Sequence, residues 1–392
     1  MRWKFPDPKE AAAREQLLAR IDAWWQAFAA QTPRLNALFL NKEQWDLPAW
    51  MREHLESIHP GLMWEYGAGL KGGHRLVITP ESSHYLCPLV EVILARAPVL
   101  PGWEFYPWRL PEAASMALQV VQARTGVDVS GYQARATANE DGTVDITYTP
   151  RSLLSRLNPF RTQDPALNGA LIVATEALVG EELLNTRIGA ISVESRGDGV
   201  PLEALASEVR ARILALDEKL PSSPFHTQLD EASWTLYELK PTQHEDYPGR
   251  LDLFVANTMA PALWASAHSV RPFSSRRFSR HGETFCYLKL DGSEGLGEGG
   301  FKDRAEVEDA LNEALVPAGL GCVIGGGTGV RYSYVDLALM NVERAMSVMR
   351  DVLQRGKVPR RTWLLFFDSA LGAEWLPIWE DAPPPFLPAD AD

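Results

Sequence analysis

Near the N-terminus the apolar positions follow helical spacing. Leu17, Leu18, Ile21, Trp24, Trp25 and Phe28 fall on one stripe. Asp7, Pro8 and Glu10 give this segment a cap, a first-turn proline and a capping box. An apolar stripe must be covered, so this arm is expected to pack on the chain's own modules. A shorter helix is expected over Leu47–Ile58, with Asp46 as cap and Trp45, Trp50, Met51 and Leu55 on its apolar side.

Beyond the glycines at 67–73 the pattern alternates between strand and helix periods. Strand His74–Thr79 is followed by a helix that places Leu86, Leu89, Val90, Ile93, Leu94 and Ala97 on one stripe, and then by strand Trp103–Trp108. A helix over Glu112–Arg124 leads to strands Tyr132–Ala138 and Thr143–Thr149, joined by a turn whose Asp141-Gly142 supplies positive φ. A long helix, Pro165–Leu184, and strand Arg187–Val193 complete this module. The helix carries Glu181 on its apolar stripe, which suits either a functional acid or a carboxylate that meets an arginine or water. The loop before it holds Arg151, Arg156 and Arg161.

The second half repeats the alternation. Strands Ser233–Leu239 and Arg250–Ala256 and a short helix, Pro261–Ala267, precede strand Thr284–Leu290. Then come a helix over Asp303–Val316, a short strand, the run Gly325–Gly329, strand Tyr332–Met340, helix Val342–Arg355 and strand Arg361–Phe367. Its core order, β-α-β-β-α-β, is that of a ferredoxin-like fold. The expected class is therefore α+β, with two tandem ferredoxin-like (or related split β-α-β) modules and an N-terminal helical arm. The divisions expected are 1–60 for the arm, 61–195 for the first module, 196–225 for a linker with a helix, and 226–392 for the second module with its tail.

Composition agrees with a globular chain: 392 residues, 46% hydrophobic and 23% charged. Cys87, Cys286 and Cys322 are too few and too scattered for a disulfide framework, which favours a reducing compartment. No apolar run has the length of a membrane span and the N-terminus lacks an apolar signal core, so the expected location is the cytoplasm, away from membrane. With 51 acidic and 38 basic residues the net charge is −13. That charge disfavours nucleic acid and suits either a basic partner or simple solubility.

Against this background one segment reverses the sign. Arg271–His281 (RPFSSRRFSRH) interleaves Arg271, Arg276, Arg277, Arg280 and His281 with two phenylalanines. Such a stretch can hold a phosphate or nucleic acid, or pair with the protein's own acidic surface. Two helices cover one face of the second sheet, leaving Phe285, Tyr287, Tyr334 and Met340 on the other. That face is too apolar for water and is expected to be covered by Ser233–Ala256, by the first module or by the tail around Trp375–Trp379, with a homodimer as the next solution. The glycine run 325–329 lacks the lysine-serine/threonine ending of a P-loop and leads into a strand, so it reads as a flexible hairpin. His54/His59, His84/Cys87 and His244-Glu245-Asp246 lack the spacing or partners of a metal or nucleophile site. No catalytic residues, metal or cofactor are therefore assigned.

DRAEVEDALNEALVPAGLG followed by GGGTG, and PLVEVILARAPVLPGWEFYPWRLP in the first module, resemble stretches of uncharacterised bacterial α/β proteins. Some of those look like immunity or accessory proteins of toxin systems. The resemblance supports the fold more than the function and carries no catalytic residue across. The acidic charge, the two sheet-based modules and the lack of an assembled active site make the expected role that of a non-enzymatic protein-binding factor of the immunity or accessory kind. The alternative is a small-ligand-binding protein or enzyme with its site between the two modules, near Arg271–Arg280.

Overall fold

The computed structural model describes residues 1–152, 164–293, 296 and 299–387; Arg156 and Arg161 lie outside them. The chain forms two compact units, Met1–Arg109 and Leu110–Asp392. The division falls inside the stretch 61–195 that the sequence pattern suggests is one module, because its strands join two different sheets. Among the described residues no helix is long and apolar enough to cross a membrane.

In the first unit the amphipathic arm is a single helix, Ala11–Phe39. Leu17, Ile21, Trp24, Trp25 and Phe28 are buried in one cluster with Leu76, Ile78, Leu89, Ile93 and Trp103. The arm thus packs on its own unit. Asp46 caps the helix Leu47–Leu55, accepting from the Ala49 N–H at 3.0 Å. Strands β1 (Met63–Ala68) and β2 (His74–Thr79) are antiparallel, and β3 (Trp103–Tyr106) runs parallel to β2 after the crossover helix Cys87–Ala95. The Trp25 indole N–H donates to the Ile93 carbonyl at 2.8 Å, pinning the arm to that helix. Strand β1 has no sequence signal because all its residues are partly exposed.

The second unit contains two sheets. The smaller has the order β6-β5-β4-β7, built from β4 (Tyr132–Ala138), β5 (Val144–Pro150), β6 (Ile188–Val193) and β7 (Val200–Pro201). Gly142 closes the β4–β5 turn at φ +78°, as the Asp-Gly pair requires. The expected helix over Pro165–Leu184 is broken at Gly180 (φ 90°, ψ 151°) into Pro165–Val179 and Glu181–Arg187. Glu181 is buried in the first turn of the second piece, where the helix dipole favours a carboxylate. The helix Leu202–Asp217 is not a linker: Leu202, Leu205 and Val209 enter the core of the four-stranded sheet beside Tyr148 and Leu171.

The larger sheet has the order β14-β13-β10-β12-β11-β9-β8. Its strands are β8 (Thr235–Glu238), β9 (Leu253–Thr258), β10 (Thr284–Asp291), β11 (Gly321–Gly329), β12 (Tyr332–Leu339), β13 (Thr362–Phe366) and β14 (Trp375–Pro377). All neighbours are antiparallel. Helices Arg304–Leu315 and Val342–Arg355 lie side by side and bury Val307, Leu311 and Leu315, and Ala345, Met349 and Leu353. Residues two apart on a strand share a face. Leu288, Val335 and Leu337 therefore face opposite to Tyr287, Tyr334 and Trp363. The aromatic face, with Leu253 of β9 and Trp375 of β14, forms one buried cluster with Tyr247, Ala382 and Leu387, so the chain covers it with its own preceding segment and tail.

The run Gly325–Gly329 is not a hairpin but the middle and end of β11, whose turn falls after it. Its glycines admit side chains of the neighbouring strand region. A Cβ at Gly329 would overlap the Asp252 carboxylate, and one at Gly327 would lie 2.5 Å from a Leu253 methyl carbon. Buried Asp252 accepts from the Arg331 and Tyr332 N–H groups at 2.9 and 2.8 Å and from the Tyr334 hydroxyl, fixing the β11–β12 turn. Cys286 and Cys322 are free and buried on β10 and β11, with β12 between them.

Candidate functional site

The arginine-rich segment forms a strap between the two sheets of the second unit. Ser275 anchors it: its N–H donates to Asp368 Oδ1 at 2.7 Å and its hydroxyl to Oδ2. Burial, opposed by these hydrogen bonds, holds the Asp368 carboxyl above the ordinary carboxylate range. On the strap Arg271 lies 3.8 Å from Asp145 and Arg276 2.8 Å from Glu182. Arg277 is buried, donates to Ser266 Oγ at 2.9 Å and to the Pro272 carbonyl at 3.0 Å, and lies 4.0 Å from Asp141. Burial lowers its pKa from the usual guanidinium value. Gly142 sits flush on it, since a Cβ there would lie 2.9 Å from Arg277 Cβ.

Beside the strap a cleft of about 750 Å³ opens between the two sheets of this unit. Its apolar lining includes Leu216, Leu220, Phe225, Met259, Leu263 and Phe278. Polar groups come from Asn139, Glu140, Lys219, Gln228, Ser233, Thr235 and Arg277. One wall is fixed by two basic residues acting on one carbonyl: Arg280 Nε donates to Pro221 O at 2.9 Å and His281 Nε2 lies 3.1 Å from it. Behind that wall Glu283 is buried, accepting from the Phe225 N–H at 2.8 Å and the Ser279 hydroxyl at 2.8 Å. Phe285 lies beneath, edge-on to Phe225 at 5.5 Å.

A second constellation lies on the aromatic face. The Arg250 guanidinium stands 5.3 Å from the ring centroids of Tyr287, Tyr334 and Phe367. It is 3.0 Å from Asp336, and both side chains are almost fully buried. Further along, Lys289 is completely buried, donates to the Tyr247 carbonyl and lies 4.1 Å above the Tyr332 ring. Burial pushes its amine down to about 8. At the sheet end Arg361 donates to Asp246 at 3.0 Å, to Asp291 at 2.9 Å and to the Tyr332 hydroxyl at 2.7 Å. On the helix-covered side, burial raises Glu308 to about 7 although Arg304 lies 3.1 Å away.

The residues singled out from the sequence thus fall into three places. Arg277 lines the cleft, Arg280 and His281 hold its Pro221 wall, and Phe285 lies against the lining residue Phe225. Tyr287 and Tyr334 enclose Arg250 inside the covered face. Arg271 and Arg276 reach toward carboxylates of the smaller sheet. Sequence reasoning passes over Lys219, Arg250, Asp252, Lys289 and Asp336. For Lys289 and Asp336 a signal exists, because each shares a strand face with a tyrosine two positions earlier, Tyr287 and Tyr334 respectively. Among the described residues no group of histidine, cysteine and carboxylate side chains could hold a metal ion.

No protein-family model matches this chain, and no curated protein or solved structure matches it.

Proposed function

We propose that this is a small-ligand-binding protein whose site is the cleft between the four-stranded and seven-stranded sheets. The observation that carries this reading is the cleft itself. Its volume of about 750 Å³ falls within the range of ligand pockets, and its lining combines an apolar majority with a few polar groups. Titration with the uncharged fluorophore N-phenyl-1-naphthylamine tests it. The reading expects saturable binding at one site, removed by Ala262→Trp, which fills the cleft from an exposed helical position. Binding unchanged in that variant would reject the cleft as the site.

A protein partner of the immunity or accessory kind is the second reading, favoured by the free edge of the seven-stranded sheet. The opposite edge, β14, ends in Pro377. Edge strand β8 instead leaves Leu236 66% exposed, with Trp234 beside it 50% exposed. Unpaired edges of this kind accept an added strand. Co-purification of a partner from the native host with the wild-type chain, and its loss with Leu236→Asp at unchanged melting temperature, would support this reading. Retention of the partner by that variant would oppose it.

The order of the central strands, β13-β10-β12-β11, with one helix after β10 and one after β12, supports a ferredoxin-like reading of Thr284–Phe366.

A further inference from the structure

We infer that the cleft takes an amphipathic anion: an apolar body with a single head of carboxylate, sulfonate or phosphate type, held at the Pro221 rim by Lys219 and Arg280. This rests on the cleft being the binding site. The evidence is a difference among the cations of one neighbourhood. Arg271, Arg276 and Arg277 each lie within 4.0 Å of a carboxylate, Asp145, Glu182 and Asp141 respectively. Lys219, Arg280 and His281 form no ion pair among the described residues.

Two of these side chains meet at one carbonyl, and the third is two positions from it in the chain. Arg280 and His281 share the Pro221 carbonyl as acceptor, and Lys219 precedes Pro221 by two positions. Lys219, Leu220 and Pro221 all line the cleft. Arg280 is held in place by a carbonyl yet has no counter-ion, although a chain with net charge −13 has carboxylates to spare for it. The nearby carboxylates do not serve. Glu283 is buried and already accepts from Phe225 and Ser279, and Glu140 is exposed on the hairpin wall. The apolar lining from Phe225, Met259, Leu263 and Phe278 selects the body of the ligand, and the rim selects its charged end.

The test compares two probes of similar shape, 1-anilinonaphthalene-8-sulfonate and the neutral N-phenyl-1-naphthylamine, on the full chain. The double variant Lys219→Met/Arg280→Met should weaken sulfonate binding about tenfold and leave the neutral probe within about twofold. Raising salt from about 50 to about 500 mM should weaken the sulfonate alone. Arg280→Lys in place of Arg280→Met keeps the charge and should recover most of the loss, which separates charge from folding damage. An equal response of both probes to the double variant, or no response, overturns the anionic class. If Ala262→Trp still removes the neutral probe in that case, the cleft stands as a binding site. Binding of both probes that ignores Ala262→Trp overturns the cleft and this inference together.

Discussion

Arg250 and Asp336 form an ion pair 3.0 Å apart at the centre of the covered face, with side-chain exposures of 5% and 3%. The attraction between such charges is offset by their desolvation, so the intact pair adds little net stability, whereas removing one partner strands the other. Asp336→Asn or Arg250→Met should therefore cost about 3–5 kcal/mol, and the double replacement less than the sum of the two. Urea unfolding of all three variants measures the coupling. Additive losses would show that the two side chains act independently.

Lys289 gives the protein a pH signature. Its folded value of about 8 lies below the ordinary 10.5, so between these values the unfolded chain holds more protons. Its contribution is fully present above the unfolded pKa and is lost as pH falls through about 8. From pH 8 to pH 9.5 the wild type should gain about 2 kcal/mol relative to Lys289→Met. The comparison with Lys289→Met cancels other groups that titrate in this window. Parallel pH curves for the two proteins would mean that Lys289 titrates normally.

Two substitutions test the account of the glycine strand. Asp252→Ala removes the acceptor for the Arg331 and Tyr332 N–H groups and should cost about 3 kcal/mol or more. Gly329→Ala pushes a methyl group into that carboxylate and should cost about 1–3 kcal/mol. A neutral Gly329→Ala, measured by thermal unfolding, would mean that the run tolerates side chains and serves another purpose.

Neighbouring arginines of the strap should differ sharply. Arg276 is 74% exposed in its ion pair with Glu182, and Arg276→Ala should change stability by less than about 1 kcal/mol. Arg277 is buried with two hydrogen bonds and stands over the Phe273 and Phe278 rings, so Arg277→Ala should cost about 3 kcal/mol. Equal losses would remove the distinction between the surface pair and the buried anchor.

All three thiols are buried, and burial pushes Cys286 well up and Cys322 to about 12. Thiolates are the reactive form, so iodoacetamide at pH 8 should label none of them in native protein and all three after unfolding. Rapid native labelling of Cys286 or Cys322 would contradict their burial.

Much of the fold is legible in the sequence because local period and burial agree. β2, the helix Val342–Arg355 and β4 fall where the pattern places them, and the arm buries the stripe that its spacing predicts. The failures come where long-range packing decides. The glycines of β11 look like a turn because their reason, Asp252 and Leu253, lies more than seventy residues earlier. Gly180 breaks a helix that the apolar stripe alone would continue. At the candidate site, Arg277, Arg280 and His281 stand out through their local charge reversal. Lys219 does not, because it lies in what looks like a linker, and nothing local shows that Pro221 will meet Arg280.

The hydrogen bond from Arg361 to Asp246 spans 115 positions, and that from Tyr334 to Asp252 spans 82. Neither can form until the chain between its two partners has collapsed, and each requires a large loop to close before any contact repays it. The aromatic face should therefore be among the last parts of this unit to become native, and its folding slow for a chain of this size. Until β14 and the segment behind it arrive, that face is a sticky surface, so crowding during synthesis is its moment of greatest exposure to aggregation.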